Sequence, residues 1–355
     1  MDCKKLDMDK LLAPVWDDNG YAYLESFFPV MKEGQTEEDE LEIQLLYEVD
    51  EVVELMTATH EGEFEAGKDY FVRDGKLVIP QGSSIKRLAW DDYRLTGEKE
   101  SRSPFGFRDG GHIFFGEGDT MHSRQYVVTY KHSDTNKCFN PTCAVKKLPG
   151  LQKMLKNKTK FTFAWYGDSI TTGANSSGTI NSNPGIPMFP IAVTELLKEK
   201  FDTDIEYVNK SMGGAGADWA INNYDRLFEG IKPDVMFIAY GMNDGGTSPE
   251  DEAEKIKVIV DKTLALNPDC EFLICSTTVP NYLANGFWGT QEIQEPALAK
   301  LCEELGDIAV LVPMGTMHKS LLERKNFYDM TGNNINHPND YLARVYGQAI
   351  LAQIL

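Results

Sequence analysis

The sequence predicts an α/β fold in which a doubly wound parallel sheet is preceded by a smaller, β-rich domain. From about residue 160 onward, five short apolar runs alternate with segments of helical period. Before residue 150, runs with the alternation of β-strands are separated by Gly and Asp turns. The length of 355 residues is about twice the ~150 residues of a typical domain. We therefore expect two domains, at residues 1–150 and 151–355.

The five apolar runs of the second domain are short, rich in β-branched and aromatic residues, and bounded by turn residues. They are "FTFAWYG" (161–167), "IEYVNKS" (205–211), "VMFIAYG" (235–241), "EFLICST" (271–277) and "IAVLVP" (308–313). Such runs are typical of parallel strands that are buried on both faces. A doubly wound sheet binds ligands at the carboxyl ends of its strands, so we expect the functional site at that edge.

The segments between these strands have the period of amphipathic helices. One apolar stripe with i, i+3, i+4, i+7 and i+8 spacing consists of Ile256, Ile259, Val260, Thr263 and Leu264. The acids of "SPEDEAE" precede it, where negative charge interacts favourably with the positive end of the helix dipole. Similar helices are predicted for "FPIAVTELLKEKF", "PALAKLCEELG" and "LARVYGQAILAQIL".

The first domain contains four segments with strand-like patterns. They are "LEIQLLYEV", "DYFVRDGKLVIP", "GGHIFFGEG" and "SRQYVVTYKH". These patterns predict a β-sandwich or jelly-roll domain with one short helical piece near residues 50–57. The composition changes at "VKKLPGLQKMLKNKTK", a basic stretch of helical character, and we expect the two domains to join there.

The charge of the chain argues against several classes of partner. The net charge of −20 comes from 55 acidic and 35 basic residues, and this excess repels phosphate backbones and anionic lipid surfaces. We therefore expect no nucleic-acid partner and no membrane association, and no apolar run approaches the ~20 residues that span a bilayer. The N-terminal residues lack the apolar core of a secretory signal, which favours a cytoplasmic location. The oligomeric state stays open.

The sequence gives no signal for a metal or another cofactor. Six cysteines without a secretory signal favour reduced thiols. Cys138 and Cys143 are five residues apart, but no second Cys or His pair follows at the spacing of metal ligands. We therefore expect a protein that works without a cofactor.

Polar residues and glycines follow the predicted strands where each strand ends. Ser169 follows the first strand in "GDSI", and the second strand ends in "VNKSMGGAG", whose glycines let the main chain approach a ligand. Asn243 follows the third strand in "YGMNDGG". His337 precedes the last predicted helix in "NINHPND", where Pro338 is well placed to open that helix. We expect these residues to converge at one edge of the sheet.

These four segments resemble the four sequence blocks of the GDSL/SGNH hydrolase superfamily. Ser169 matches the first block, Gly214 matches the second with Gly213 as the alternative, and Asn243 and His337 match the third and fourth. The resemblance covers about 200 residues in the family's order, and it implies a flavodoxin-like three-layer α/β domain. A β-sandwich before such a domain is similar to the plan of two-domain carbohydrate esterases, on domain order alone.

The resemblance implies a serine esterase, and the chemistry of these residues fits one. A serine hydroxyl becomes nucleophilic when a neutral imidazole takes its proton, so Ser169 needs His337 within hydrogen-bond reach. The main-chain N–H groups of Ser169 and Gly214 and the side-chain amide of Asn243 would form the oxyanion hole. These donors stabilise the negative charge of the tetrahedral intermediate.

One position departs from the family pattern. The family's acid lies three residues before the histidine, and here that residue is Asn334, whose amide cannot stabilise an imidazolium as a carboxylate does. Three arrangements remain open. The ring is fixed by Asn334 or a main-chain carbonyl in a Ser–His dyad, an acid such as Asp329 or Asp340 takes the role, or the site is impaired.

The leading functional hypothesis is the removal of small acyl groups, in particular acetyl, from a small-molecule or oligosaccharide ester. The sugar is implied only by the domain order. Trp288, in a long loop after the fourth strand, could stack on a sugar ring or serve in packing. One alternative is a lysophospholipase or thioesterase, which the polar loop "TTGANSSGTINSNPG" after Ser169 disfavours. Another is a non-catalytic glycan-binding protein with a relic site.

Overall fold

A computed structural model of the protein describes residues 7–17, 20–135, 138–142 and 148–355. Among these residues, the N-terminal part of the chain contains eight short strands and three short α-helices. The strands are β1 (Tyr21–Phe27), β2 (Leu41–Ile43), β3 (Glu51–Thr57), β4 (Phe71–Arg73), β5 (Lys76–Ile79), β6 (Arg94–Leu95), β7 (His112–Ile113) and β8 (Tyr126–Lys131). The helices are α1 (Met8–Leu11), α2 (Trp90–Tyr93) and α3 (Asp119–His122).

These strands form three antiparallel sheets. β8 lies between β1 and β3, β5 lies between β2 and β4, and β6 pairs with β7. The predicted β-rich character is confirmed. The helical piece expected near residues 50–57 is wrong, because Glu51–Thr57 form β3, which pairs with β8 on both sides of an irregularity between Val52 and Glu54. Such tertiary pairing overrides weak local preferences.

Residues 148–355 contain a five-stranded parallel sheet and seven α-helices. The strands are β9 (Phe161–Gly167), β10 (Ile205–Asn209), β11 (Val235–Ala239), β12 (Glu271–Cys275) and β13 (Ala309–Val312). The helices are α4 (Pro149–Lys156), α5 (Phe189–Phe201), α6 (Ala217–Leu227), α7 (Pro249–Leu266), α8 (Glu295–Leu305), α9 (Met314–Leu322) and α10 (Asp340–Ile354). The strand order β10-β9-β11-β12-β13 is that of a flavodoxin-like fold, which confirms the predicted α/β class.

Helices cover both faces of this sheet. Side chains on one face, such as Trp165 and Phe237, pack with α5 and α10 in one hydrophobic cluster. Side chains on the opposite face, such as Tyr166 and Ile238, pack with α6, α7 and α8 in a second cluster. Because neighbouring residues of a strand point to opposite faces, each strand is apolar throughout. Across the described ranges, no helix is both long and apolar enough to cross a membrane.

The first residues of α7 and α10 show how N-cap side chains determine where these helices begin. α7 begins at Pro249, and the Oγ of its N-cap Ser248 accepts a hydrogen bond from Asp251 N at 3.1 Å. α10 begins at Asp340 after the N-cap Asn339. Pro338 therefore precedes the cap, where it ends the loop that carries His337, and does not open the helix as expected.

Residues from the two parts of the chain share a hydrophobic cluster. Tyr93 and Phe107 of the N-terminal part pack with Ala284 and Ile335 of the C-terminal part, and all four are buried. The main chains of Phe107 and Ala284 also form a β-bridge. Because Ile335 lies two residues before His337, this cluster supports the loop that carries the histidine. The domain boundary near residue 150 stays a prediction.

A buried ion pair joins β1 to the segment after α9. Lys325 Nζ donates to the Glu25 carboxylate and, at 2.9 Å, to the Ser26 carbonyl oxygen. Glu25 also accepts from Tyr130 Oη and Leu46 N, each at 2.7 Å. Both charged side chains are at most 1% exposed. Loss of either partner would leave an uncompensated charge inside the protein.

We expect Lys325→Met to destabilise the protein strongly, because Glu25 would stay buried without its cation. The free energy of unfolding, measured by urea denaturation at neutral pH, should fall by about 3–5 kcal/mol. The matched control is Lys300→Met on α8, where the side chain is 77% exposed; its change should stay within about 0.5 kcal/mol. A loss below about 1 kcal/mol for Lys325→Met would show that the pair does not hold the two parts together.

Candidate active site

Ser169 lies at the carboxyl edge of the central sheet, two residues after β9 ends. β9 lies between β10 and β11, at the point where the strand order reverses and where folds of this topology bind ligands. Gly213 and Gly214 follow β10, and Asn243 follows β11, at the same edge. Ser169 is 7% exposed, so most of the residue is enclosed by the loops around it.

His337 contacts Ser169 from the loop that precedes α10. Its Nε2 lies 2.9 Å from Ser169 Oγ, a good hydrogen-bond distance. The carbonyl oxygen of His337 accepts from Gly332 N and from Thr331 Oγ1, each at 2.9 Å. The main-chain N–H of His337 donates to Asn333 Oδ1 at 3.1 Å. The loop therefore closes on itself around the histidine, which fixes the position of the ring.

The other ring nitrogen of His337, Nδ1, contacts Asn175 in the loop after Ser169. Asn175 Oδ1 lies 2.7 Å from Nδ1, and Asn175 Nδ2 donates to the carbonyl oxygens of Gly332 at 3.2 Å and Gly118 at 3.4 Å. Because two carbonyls accept from Nδ2, the amide oxygen faces the ring, and an amide oxygen can only accept. The proton of the neutral imidazole therefore sits on Nδ1, and Nε2 presents its lone pair to Ser169.

The contact between Asn175 and the histidine loop requires a glycine at position 332. A Cβ on Gly332 would lie 2.4 Å from Asn175 Cβ, so a larger residue would push the amide away from the ring. Asn175 has a φ of +64°, a left-handed conformation in which asparagine is enriched. It is 5% exposed. Packing and main-chain conformation together hold this amide in place.

A carboxylate from the N-terminal part also reaches His337. Glu117, between β7 and α3, places Oε2 at 3.4 Å from His337 Nδ1, and its Oε1 accepts from Asn333 Nδ2 at 3.0 Å. Its side chain is 53% exposed. Burial raises the pKa of Glu117, but hydrogen bonds from His337 and Asn333 outweigh burial, so the pKa lies below its usual value. Glu117 is therefore ionised at neutral pH.

Asn334, one of the groups considered for fixing the ring, is hydrogen-bonded to other segments. Its Nδ2 donates to the Phe114 carbonyl oxygen at 2.8 Å, and its Oδ1 accepts from Asn281 Nδ2 at 3.1 Å. Asn334 is completely buried and has a φ of +68°. The structure thus corrects the expectation for this residue: Asn334 links the histidine loop to the N-terminal part and to the loop after β12, and Asn175 occupies the position at Nδ1.

Asp329 and Asp340, the two acids expected as alternative partners, also anchor other segments. Asp329 accepts from Phe28 N at 2.8 Å and from Asn326 N at 3.0 Å, and burial raises its pKa to about 6. Asp340 accepts from Ser177 N at 2.8 Å, and burial raises its pKa as well. The structure places Asn175 and Glu117, and neither of these two carboxylates, at Nδ1 of the histidine.

The residues expected in the oxyanion hole lie on the loops after β10 and β11, at the same edge of the sheet as Ser169. Gly214 has a φ of +73°, a conformation that favours glycine. A Cβ on Gly213 would lie 4.0 Å from Ser169 Cβ, so this second-block glycine lies next to the serine side chain. Asn243 is exposed, and its Nδ2 donates to the Ala215 carbonyl oxygen at 3.0 Å. This contact uses one of its two amide hydrogens.

Buried acids lie close to the site. Asp168 is 2% exposed, and its Oδ1 accepts from Ile170 N at 2.8 Å. Burial raises the pKa of Asp168 to about 7, although the hydrogen bond from Ile170 and the charge of His337 lower it. Burial also raises the pKa of Glu252 to about 8, and the charge of Asp244 adds to this shift. Both carboxyl groups are therefore protonated more readily than exposed acids.

Trp288 lies in the loop after β12, close to the loop that carries Asn243. The next residue, Gly289, packs directly on Gly245, since a Cβ on Gly289 would lie 2.0 Å from the Gly245 carbonyl oxygen. Trp288 is partly exposed. The side chain is therefore accessible on a loop that contacts one of the strand ends forming the cleft.

Of the two cysteines noted in the sequence, Cys138 and Cys143, the structure describes only Cys138. Cys138 is buried, and its sulfur lies 4.0 Å from Tyr47 Oη, while Cys143 lies outside the described residues. In the part of the chain that the structure describes, no group of three or more His, Cys, Asp or Glu side chains could hold a metal ion.

Sequence reasoning missed the two residues at Nδ1 of the histidine. Asn175 belongs to the polar loop that was noted after Ser169, but its left-handed main chain and its amide orientation leave no mark in the sequence pattern. Glu117 comes from a segment 220 positions before His337, and no local motif distinguishes it from other glutamates.

The sequence of residues 165–345 matches a protein-family model described as the GDSL-like Lipase/Acylhydrolase family. The matched range is about half of the chain, and it includes Ser169, Gly214, Asn243 and His337. No curated protein sequence matches the chain.

Several solved structures are similar to part of the chain. A two-domain esterase active on acetylated mannans, crystallised with mannopentaose, is 19% identical over 59% of this chain and 54% of that chain, with a TM-score of 0.48. A catalytic mutant of Axe2, an acetylxylan esterase from Geobacillus stearothermophilus, is 15% identical over 55% of this chain and 94% of that chain, with a TM-score of 0.43. The chain thus spans about half the length of the mannan esterase.

Proposed function

The chain belongs to the GDSL-like lipase/acylhydrolase family, and from this premise we propose that it is a serine esterase that removes small acyl groups, in particular O-acetyl, from carbohydrates. The reaction passes through an acyl-enzyme intermediate on Ser169. The observation that carries the proposal is the 2.9 Å contact between His337 Nε2 and Ser169 Oγ. Nε2 can act as a base because Asn175 Oδ1 keeps the ring proton on Nδ1.

In the first half of the reaction, His337 takes the hydroxyl proton of Ser169 while Oγ attacks the acyl carbon. The ring then carries a proton on both nitrogens and is positively charged. His337 gives the new proton to the sugar oxygen, which leaves as an alcohol, and the acyl group stays on Oγ.

The tetrahedral intermediate carries negative charge on the former carbonyl oxygen. We assign the main-chain N–H groups of Ser169 and Gly214 and the second amide hydrogen of Asn243 to this oxygen. Donors of this kind each contribute about 10²- to 10³-fold in rate. The hydrogen bond from Asn243 to the Ala215 carbonyl oxygen holds the amide beside the second glycine block, so the donor is in place before charge develops.

In the second half of the reaction, a water molecule attacks the acyl-enzyme. His337 takes a proton from this water and returns it to Ser169 Oγ as the carboxylic acid leaves. The same Nε2 therefore serves as base and as acid in both halves, and the ring does not need to rotate.

Two features support a small acyl group on a polar alcohol. Residues near the pair are small or polar, since Gly213 lies next to the Ser169 side chain and Asn175 and Glu117 contact the His337 ring. A long acyl chain needs an aliphatic wall instead. Trp288 offers a partly exposed indole, a surface on which a sugar ring can stack. A lipid esterase and a non-catalytic glycan-binding protein are the alternatives that the experiments below separate from this proposal.

Ser169→Ala should abolish hydrolysis of p-nitrophenyl acetate and leave the fold intact, because the hydroxyl is needed only as the nucleophile. Steady-state rates and far-UV circular dichroism measure the two effects. Ser101→Ala, at an exposed serine, is the matched control and should be fully active. If Ser169→Ala kept about a tenth of the wild-type rate, Ser169 would not be the nucleophile. A wild-type protein that turns over no ester would favour the glycan-binding alternative.

Trp288→Ala should raise KM for an acetylated oligosaccharide about 3- to 10-fold, the range expected for the loss of one stacked ring. The kcat/KM for p-nitrophenyl acetate should stay unchanged, because this substrate has no sugar. Trp288→Phe keeps an aromatic ring and should show a smaller increase in KM for the acetylated oligosaccharide. Equal losses on both substrates would contradict a sugar platform. Wild-type preference for p-nitrophenyl esters of long over short acyl chains would favour the lipid alternative.

A further inference from the structure

We propose that the N-terminal part supplies the acidic group of this active site: the Glu117 carboxylate is a positioning residue that stabilises the imidazolium of His337, while Asn175 orients the ring. The inference rests on the proposed function, because it concerns the step in which His337 becomes charged. It assigns to a distant segment the negative charge that the family pattern places at position 334.

The segment between β7 and α3 is bound to the histidine loop at more than one point. The Phe114 carbonyl oxygen accepts from Asn334 Nδ2 at 2.8 Å. Three residues later, Glu117 Oε1 accepts from Asn333 Nδ2 at 3.0 Å. Glu117 is thus held through one carboxylate oxygen while the other faces Nδ1. An exposed glutamate without these contacts would sample many rotamers and would not stay beside the ring.

Asn175 and Glu117 act on the same nitrogen in different ways. Asn175 Oδ1 is the closer acceptor, at 2.7 Å from His337 Nδ1, but it is neutral. Glu117 Oε2, at 3.4 Å, is too distant for a strong hydrogen bond, so its main contribution is charge. A negative charge at this distance favours imidazolium over imidazole. Because the side chain is half exposed, solvent weakens the effect below the ~10⁴-fold of a buried triad acid.

Asp168 also interacts electrostatically with His337, from the end of β9. Its carboxyl group is buried and accepts from Ile170 N. Asp168 is therefore a second acid, besides Glu117, whose charge acts on the ring. Asp168 is the same in every Glu117 variant, so a difference between such variants reports on Glu117 alone.

Glu117→Gln keeps the size of the side chain and an oxygen that can accept from Asn333, but it removes the charge. The kcat/KM for p-nitrophenyl acetate should fall about 10- to 100-fold, and the acidic limb of its pH profile should move to lower pH, because the imidazolium loses its proton more readily. Glu117→Asp keeps the charge and should keep the limb near its wild-type position. Raising the ionic strength from about 0.05 M to about 0.5 M should move the wild-type limb downward further than that of Glu117→Gln, because only the wild type loses the attraction of Glu117 to screening.

Glu63→Gln, at an exposed glutamate of the N-terminal part, is the matched control and should reproduce the wild-type profile. If Glu117→Gln lowers the rate without moving the acidic limb, Glu117 has a merely structural role and the inference is overturned. A variant with an unchanged rate and an unchanged limb overturns it as well. Neither result affects the proposed function as long as Ser169→Ala is inactive, whereas an active Ser169→Ala overturns the proposed function itself.

Discussion

The hydrogen bond between Asn175 Oδ1 and His337 Nδ1 determines which ring nitrogen carries the proton, and every chemical step assigned to Ser169 depends on it. Asn175 makes this bond in one orientation, because two carbonyl oxygens hold its Nδ2. A flipped amide would set Nδ2 against Nδ1, move the ring proton to Nε2 and leave Ser169 without a base. A neutral amide thus orients the histidine, a role that a carboxylate performs in a Ser-His-Asp triad.

Three segments of the fold position this hydrogen bond. The strand order brings the loop after β9, with Ser169 and Asn175, to the point where ligands bind in such sheets. The loop before α10 carries His337 and is tied down by its own main chain. The N-terminal part packs against this loop through a shared apolar cluster and places Glu117 beside the ring. The β-rich region is therefore part of the support of the site.

The elements of the sheet could be predicted because parallel strands buried on both faces give continuous apolar runs, as in β9 and β11. The segment that forms β3 could not, because its conformation depends on pairing with β8, far along the chain. Ser169 and His337 are visible as motif residues, and the structure brings their side chains into contact. Asn175 was missed because its role depends on a left-handed turn, and Glu117 because it reaches the ring only through the tertiary fold.

Nitrogen-15 NMR of the histidine side chains tests the central claim most directly. In protein labelled at histidine, the resonances of His337 are identified by their absence in His337→Gln, and the spectrum is recorded at a pH of about 8, where an unperturbed imidazole is neutral. The account predicts a protonated Nδ1 and an unprotonated Nε2 in the wild type, and a mixture of the two tautomers in Asn175→Ala. A proton on Nε2 in the wild type would contradict the account, because the ring could not then accept the proton of Ser169.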